Sequence, residues 1–121
     1  MSNGVNHKNS EIPLIKKLYE LYKTFYKYSA LFPKKDRYAL GAKCEMHIIT
    51  TLELILEASS ASRNEKLALI KKANVKFDAL KLFIRLLKEL AIIDAKKYIE
   101  LEKQIQEIGR MLDGWQRSLN G

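Results

Sequence analysis

Cys44-Glu45-Met46-His47 is the first point in this chain where side chains could do chemistry. On a helix, a C-x-x-H spacing brings a sulfur and an imidazole to one side, where they could share a metal ion. Two ligands do not make a zinc site. The chain has one Cys, and its other histidine, His7, stands in a polar N-terminal stretch, so no set of four can be built from these residue types. A di-iron carboxylate bundle needs Glu-x-x-His on two helices, and the sequence contains none. Cys44 and His47 are therefore expected in packed or surface roles, and Glu53 and Glu57, one turn apart, on a solvated face. Neither a Gly-rich phosphate loop nor a nucleophile–base pairing is recognisable. The expectation is a protein with no catalytic residues, no metal and no cofactor.

Cations give the stronger signal. Lys16, Lys23 and Lys27 share one helical face, as do Lys81, Arg85 and Lys88, and Lys34, Lys35 and Arg37 cluster at a turn between helical runs. An ordinary solvated face is the plain alternative for either stripe. The formal net charge of +8 over 121 residues favours a polyanion such as nucleic acid, bound in a salt-dependent and sequence-tolerant way. The excess lies on residues 11–35 and 63–93, while 36–62 is slightly acidic and 94–121 is balanced. Tyr19, Tyr22, Tyr26 and Tyr28 stand among the first group of lysines. Rings beside cations can stack on exposed bases, although core or interface packing is their commoner use.

Positioning these residues requires helices. Hydrophobic residues make up 47% of the chain, with only five Gly and two Pro, and apolar positions recur at helical spacing in four segments. The breaks fall at Phe32-Pro33-Lys34-Lys35, at Ser59 to Asn64, and around Ile93-Asp94. Ile15, Leu18, Tyr22 and Phe25 are the expected core side of the first helix, and Leu40, Ile48, Leu52, Ile55 and Leu56 that of the second. Pro33 stops the first helix, and Asp36 is placed to cap the second. Ser62-Arg63-Asn64-Glu65 has the form of a capping box. The third helix repeats Ile70, Ala73, Phe77, Leu80, Ile84, Leu87 and Ala91, and the fourth Tyr98, Leu101, Ile105, Ile108, Leu112, Trp115 and Leu119. Long helices joined by short loops run antiparallel, which predicts an all-α, up-down-up-down four-helix bundle with the first and third helices on a diagonal.

Two features exceed the needs of a simple bundle. Val75, Leu82, Phe83, Leu86 and Leu90 lie outside the main seam of the third helix, as a broad core surface or a second apolar face between subunits. Near the C-terminus, Gly109 and Gly114 interrupt a helical run that also holds Arg110 and the chain's single Trp115. Gly in a helix interior costs about 1 kcal/mol against Ala, so these residues suggest close approach at a helix or subunit interface. Arg110 is read as a paired interface residue or a phosphate ligand, and Trp115 as an apolar anchor whose indole N–H reaches a carbonyl.

Length allows one domain, 11–121, preceded by a flexible N-terminal tail, 1–10. Cys44 has no partner for an internal disulfide, no apolar run approaches the roughly 20 residues of a membrane span, and the first ten residues lack an apolar signal core. A cytoplasmic, soluble protein without membrane association is expected.

Three segments taken together carry a resemblance: Glu107-Ile108-Gly109-Arg110-Met111-Leu112-Asp113-Gly114-Trp115, the Phe32-Pro33-Lys34-Lys35 turn, and Leu80-Lys81-Leu82-Phe83-Ile84-Arg85-Leu86-Leu87. They resemble the accessory variability determinant (Avd) family of diversity-generating retroelements, which overlaps the four-helix-bundle proteins encoded in ribosomal RNA intervening sequences. The similarity runs from Ile12 to Trp115. It implies a four-helix protomer assembled into a barrel-like homopentameric ring with a basic surface. For the retroelement branch it further implies a non-catalytic accessory protein. Such a protein binds reverse transcriptase and RNA, with DNA or an RNA–DNA hybrid as further ligands, and supports mutagenic copying of template RNA into cDNA. By position, Lys34 and Lys35 match the family's basic turn, Lys81 and Arg85 its cationic pair, and Arg110 the Arg of its closing motif. The family often has Gly or a small pair where this chain has Asp113-Gly114, and Asp113 is placed to pair with Arg110 or Arg117. The intervening-sequence branch implies a structural or RNA-association role.

Overall fold

A computed structural model describes the backbone of residues 2–120 and the side chains of residues 11–120. Four long helices account for almost all of it: α1 (Ser2–Ser29), α3 (Ala42–Ser59), α4 (Arg63–Glu89) and α5 (Ala95–Asn120), with a short α2 (Lys34–Asp36) and a π-helical turn, Arg37–Gly41, leading into α3. No strand occurs among the described residues. The expected tail, 1–10, falls on Met1, outside the described residues, and on the first part of α1, whose side chains are likewise outside them.

Each helix packs on two others, α1 on α3 and α5, and α4 on the same two. The loops are too short for anything but antiparallel neighbours, so α1 and α4 take opposite corners of a four-helix bundle. The core is a set of seams at alternating spacings of three and four. On α4 it comprises Ile70, Ala73, Phe77, Leu80, Ile84 and Leu87, and on α5 Leu101, Ile105, Ile108, Leu112, Trp115 and Leu119, as the periodicity requires.

The α1 and α3 seams are rotated from the expected ones. α1 buries Leu14, Leu18, Leu21 and Phe25, leaving Ile15 and Tyr22 at the edge. The Tyr22 hydroxyl explains this placement, since it needs a polar partner and donates to Glu45 Oε1 at 3.3 Å. On α3 the buried set is Cys44, Ile48, Thr51, Ile55 and Ala58, while Leu40 and Leu52 are half-buried and Leu56 is exposed. Small residues at alternate seam positions fit α3 closely between its neighbours. Thr51 remains satisfied by donating to the His47 carbonyl at 2.7 Å.

The ends are built from local chemistry. Pro33, not Asp36, holds the N-cap position of α2, and Asp36 is already helical (φ −79°, ψ −34°) with no side-chain capping bond. The chain turns helical directly after the proline because its carbonyl accepts from the Asp36 and Arg37 amides, both at 2.9 Å. The π turn that follows depends on Gly41, where a Cβ would stand 3.2 Å from both the Asp36 carbonyl oxygen and the Phe32 ring. Phe32 closes that end of the core edge-on to Phe25, with centroids 5.9 Å apart.

The Ser62–Glu65 capping box is complete: Ser62 Oγ accepts from the Glu65 amide at 3.4 Å, and Glu65 Oε1 from the Ser62 amide at 3.2 Å. α4 ends in a Schellman motif. The Ile92 amide donates to the Leu87 carbonyl at 2.9 Å and the Ala91 amide to that of Lys88 at 3.0 Å. Ala91 adopts φ 60° there, so it is exposed in the loop and not the last member of the α4 seam. Asp94 begins α5 by accepting from the Lys97 amide at 2.9 Å.

Candidate nucleic-acid interface

All nine cations singled out in the sequence, Lys16, Lys23, Lys27, Lys34, Lys35, Arg37, Lys81, Arg85 and Lys88, are exposed. Two of them have acidic partners on their own helix, Lys23 with Glu20 at 3.1 Å and Lys81 with Asp78 at 3.3 Å. Both pairs are half-exposed, so a phosphate can compete with the carboxylate at little cost. The other seven have no acidic partner within 4 Å among the described residues.

The α4 stripe borders a groove of about 420 Å³ between α4 and α5, lined in part by Lys81, Arg85, Tyr98, Glu102 and Gln106. Gly109 of α5 is buried beneath the end of the Lys81 side chain, and the ammonium sits 5.8 Å from the Phe77 ring centroid. Further along, Lys88 Nζ stands 4.7 Å from the Tyr98 centroid. The stem of each long side chain lies on apolar surface and its charge reaches water.

Because α1 ends where α4 ends and α5 begins, the Lys34, Lys35 and Arg37 turn shares one end of the bundle with Lys88, Lys96 and Lys97. Lys97 ties the two loops together, with its ammonium 5.7 Å from the Tyr28 centroid on α1 and 3.4 Å from Asp94 Oδ2. Lys96 and Lys97 were not among the expected site residues. Their segment is neutral overall, and only the placement of its first turn beside the other basic loop reveals them. Lys71, Lys72 and Lys76 were also missed. They line an apolar groove of about 520 Å³ with Thr50, Leu54 and Val75 on the α3 side of α4.

The other expected site residues separate. Arg110 is exposed, and neither it nor Arg117 pairs with Asp113 within 4 Å. Gly114 is half-exposed with nothing within 4 Å of the position a Cβ would take. Trp115 is buried, and its indole Nε1 finds no carbonyl, in contrast to the expectation. Its ring belongs to the bundle core, with Lys66 Nζ 6.0 Å from the centroid.

Cys44 is buried in the core, where desolvation and then the nearby Glu45 charge push its thiol up to about 12. His47 faces α4, edge-on to Phe83 at 5.2 Å, with Nδ1 2.9 Å from the Lys43 carbonyl oxygen. No three His, Cys, Asp or Glu side chains converge on a metal-sized space among the described residues. No described helix is long and apolar enough to cross a membrane.

A bundle whose third long helix carries the cationic pair Lys81 and Arg85, with Gly109 of the closing segment beneath Lys81, brings two of the three resembling segments into contact. A family model described as bAvd-like matches residues 13–119. The chain belongs to that family. Among curated proteins none matches the chain. As a bAvd-like chain it is an Avd-type accessory protein, and the match takes in α1 from Pro13 onward, the basic turn, all of α3 and α4, and α5 as far as Leu119, including the Gly109 to Trp115 segment. The bundle also leaves a second apolar surface uncovered: Val75, Leu82, Leu86 and Leu90 are 66%, 63%, 38% and 58% exposed along the outer side of α4.

Proposed function

We propose that this chain is the non-catalytic accessory protein of a diversity-generating retroelement, holding reverse transcriptase together with RNA or cDNA during mutagenic reverse transcription. The observation that carries the reading is the run of exposed cations from Lys81 and Arg85 through Lys88 to the turn of Lys34, Lys35 and Arg37, nearly all without acidic partners. Such a surface supplies charge and position while leaving sequence choice to the polymerase. Family membership supports the retroelement branch.

The exposed α4 stripe supports self-assembly, with a neighbouring copy covering Val75, Leu82, Leu86 and Leu90 in a homopentameric ring of the kind the resemblance implies. A ring would repeat each basic surface around its circumference and so join patches that one protomer keeps apart. No step of the proposed role requires chemistry from the protein itself, and it is placed in the cytoplasm with the polymerase.

The test combines light-scattering mass during size exclusion with a salt titration of a structured RNA and co-purification of the reverse transcriptase. A particle about five protomers in mass is expected, with RNA affinity falling steeply as salt rises. Replacing both Lys81 and Arg85 with Glu should weaken RNA binding and flatten the salt slope while leaving the helical signal intact. Unchanged binding would reject this surface, and failure to retain the polymerase would reject the accessory role.

A further inference from the structure

Four tyrosines lie on α1, and the structure divides them. Tyr28 turns toward α5 beneath Lys97. Tyr19, Tyr22 and Tyr26 step by three and four along the opposite shoulder, beside α3. Tyr22 is the anchored member. Its hydroxyl donates to Glu45 Oε1 at 3.3 Å, and the same carboxylate accepts from Ser29 Oγ at 3.1 Å through Oε2. The Tyr26 ring lies 6.3 Å from that of Tyr22 with 29° between the planes. Tyr19 and Tyr26 are each 58% exposed, so core packing does not account for them.

Cations accompany these rings. Lys23 Nζ stands 5.2 Å from the Tyr19 centroid, and Tyr22, Lys23, Tyr26 and Lys27 line a hollow of about 360 Å³. Lys16 extends the same outer face by two turns. Of the carboxylates nearby, Glu20 is engaged by Lys23 and Glu45 by Tyr22 and Ser29.

We propose that this edge of α1 is a stacking platform for unpaired bases, giving the protein a preference for single-stranded RNA or DNA over duplex. The inference rests on the nucleic-acid reading above and adds which structural form of the polymer the α1 face takes. Every base presents a π-face, so flat rings beside lysines bind a single strand without reading its sequence: bases lie on the rings and phosphates follow the ammonium groups. A duplex keeps its bases stacked inside and offers the same face only phosphates. A second protein copy is a poorer occupant, because it would take water from three lysines along the edge, two of which, Lys16 and Lys27, have no acidic partner within 4 Å among the described residues, and interface cores are depleted in Lys.

The experiment is a fluorescence anisotropy titration with oligo(U), oligo(dT) and duplexes of matched length, about 20 nucleotides, at fixed salt. The proteins are the unaltered chain, Tyr26→Leu and Tyr19→Leu. Leucine keeps apolar area for any subunit contact but cannot stack. Each variant should lose about tenfold in affinity for both single strands, with duplex affinity and thermal midpoint unchanged. Unaltered single-strand affinity in both variants, or equal losses on single strand and duplex, would overturn the platform while leaving the accessory role standing. No binding of either form by the unaltered chain would remove both readings. A lower light-scattering mass for Tyr26→Glu, with the leucine variants binding normally, would assign the edge to a neighbouring copy instead.

Discussion

Lys81 lays the end of its side chain over Gly109, where a Cβ would stand 3.4 Å from Nζ and 3.7 Å from Cε. The close approach at this glycine is made by a flexible side chain, so a methyl group fits there in ordinary contact. Gly109→Ala should therefore raise stability by about 1 kcal/mol through helix propensity, seen as a higher urea midpoint with an unchanged light-scattering mass. A bulkier Gly109→Leu should displace the Lys81 ammonium and weaken RNA binding. Loss of assembly in Gly109→Ala would instead show that the backbone meets another subunit.

Ala91 should be improved by removing its side chain. At φ 60° it occupies the left-handed position that a Schellman motif normally gives to glycine. Ala91→Gly is expected to stabilise the protein by about 1 kcal/mol, measured as a rise in the midpoint of chemical unfolding. The residue is exposed, so no packing is lost.

Glu11 and Lys66 form an ion pair at 3.5 Å between opposite corners of the bundle, with side chains 7% and 10% exposed. Removing one partner strands the other charge in apolar surroundings. Glu11→Leu alone should cost about 3–5 kcal/mol, whereas Glu11→Leu with Lys66→Met should recover most of that loss. A double-mutant cycle in urea tests the coupling. Additive losses would show that the two charges act independently.

Cys44 should resist alkylation in the native state. With its thiol held up to about 12, almost no thiolate exists at pH 8, and the buried sulfur is out of reach of reagent. Iodoacetamide should label it only as fast as the bundle opens, with the rate rising sharply in denaturant. Rapid native labelling would place the residue outside the core.

Asp94 predicts an acid-dependent helix end. The Lys97 amide hydrogen bond, followed by the Lys97 charge, holds its carboxyl below the usual carboxylate range. A lowered folded value means the contribution is present at neutral pH and disappears as pH falls through that lowered value. Asp94→Asn should lower the thermal midpoint at pH 7 and lose that difference near pH 2, as followed by circular dichroism.

The sequence by itself determined the four long helices, the seams of α4 as far as Leu87 and of α5 from Leu101, the capping box at Ser62 and the cationic stripes, because each depends on spacing within one helix. Two unbroken rows of apolar residues left little choice of inward face there. It could not decide between adjacent seams on α1, where Leu14 and Leu21 compete with Ile15 and Tyr22. That choice was made by neighbouring helices and by the Tyr22 hydroxyl, which required a partner at the boundary. Tertiary structure also gave Gly109 its neighbour, brought Lys96 and Lys97 beside the basic turn, and left Tyr19 and Tyr26 in solvent. A local pattern fixes which residues share a face. What lies across from that face depends on chain segments far away, and only packing brings them together.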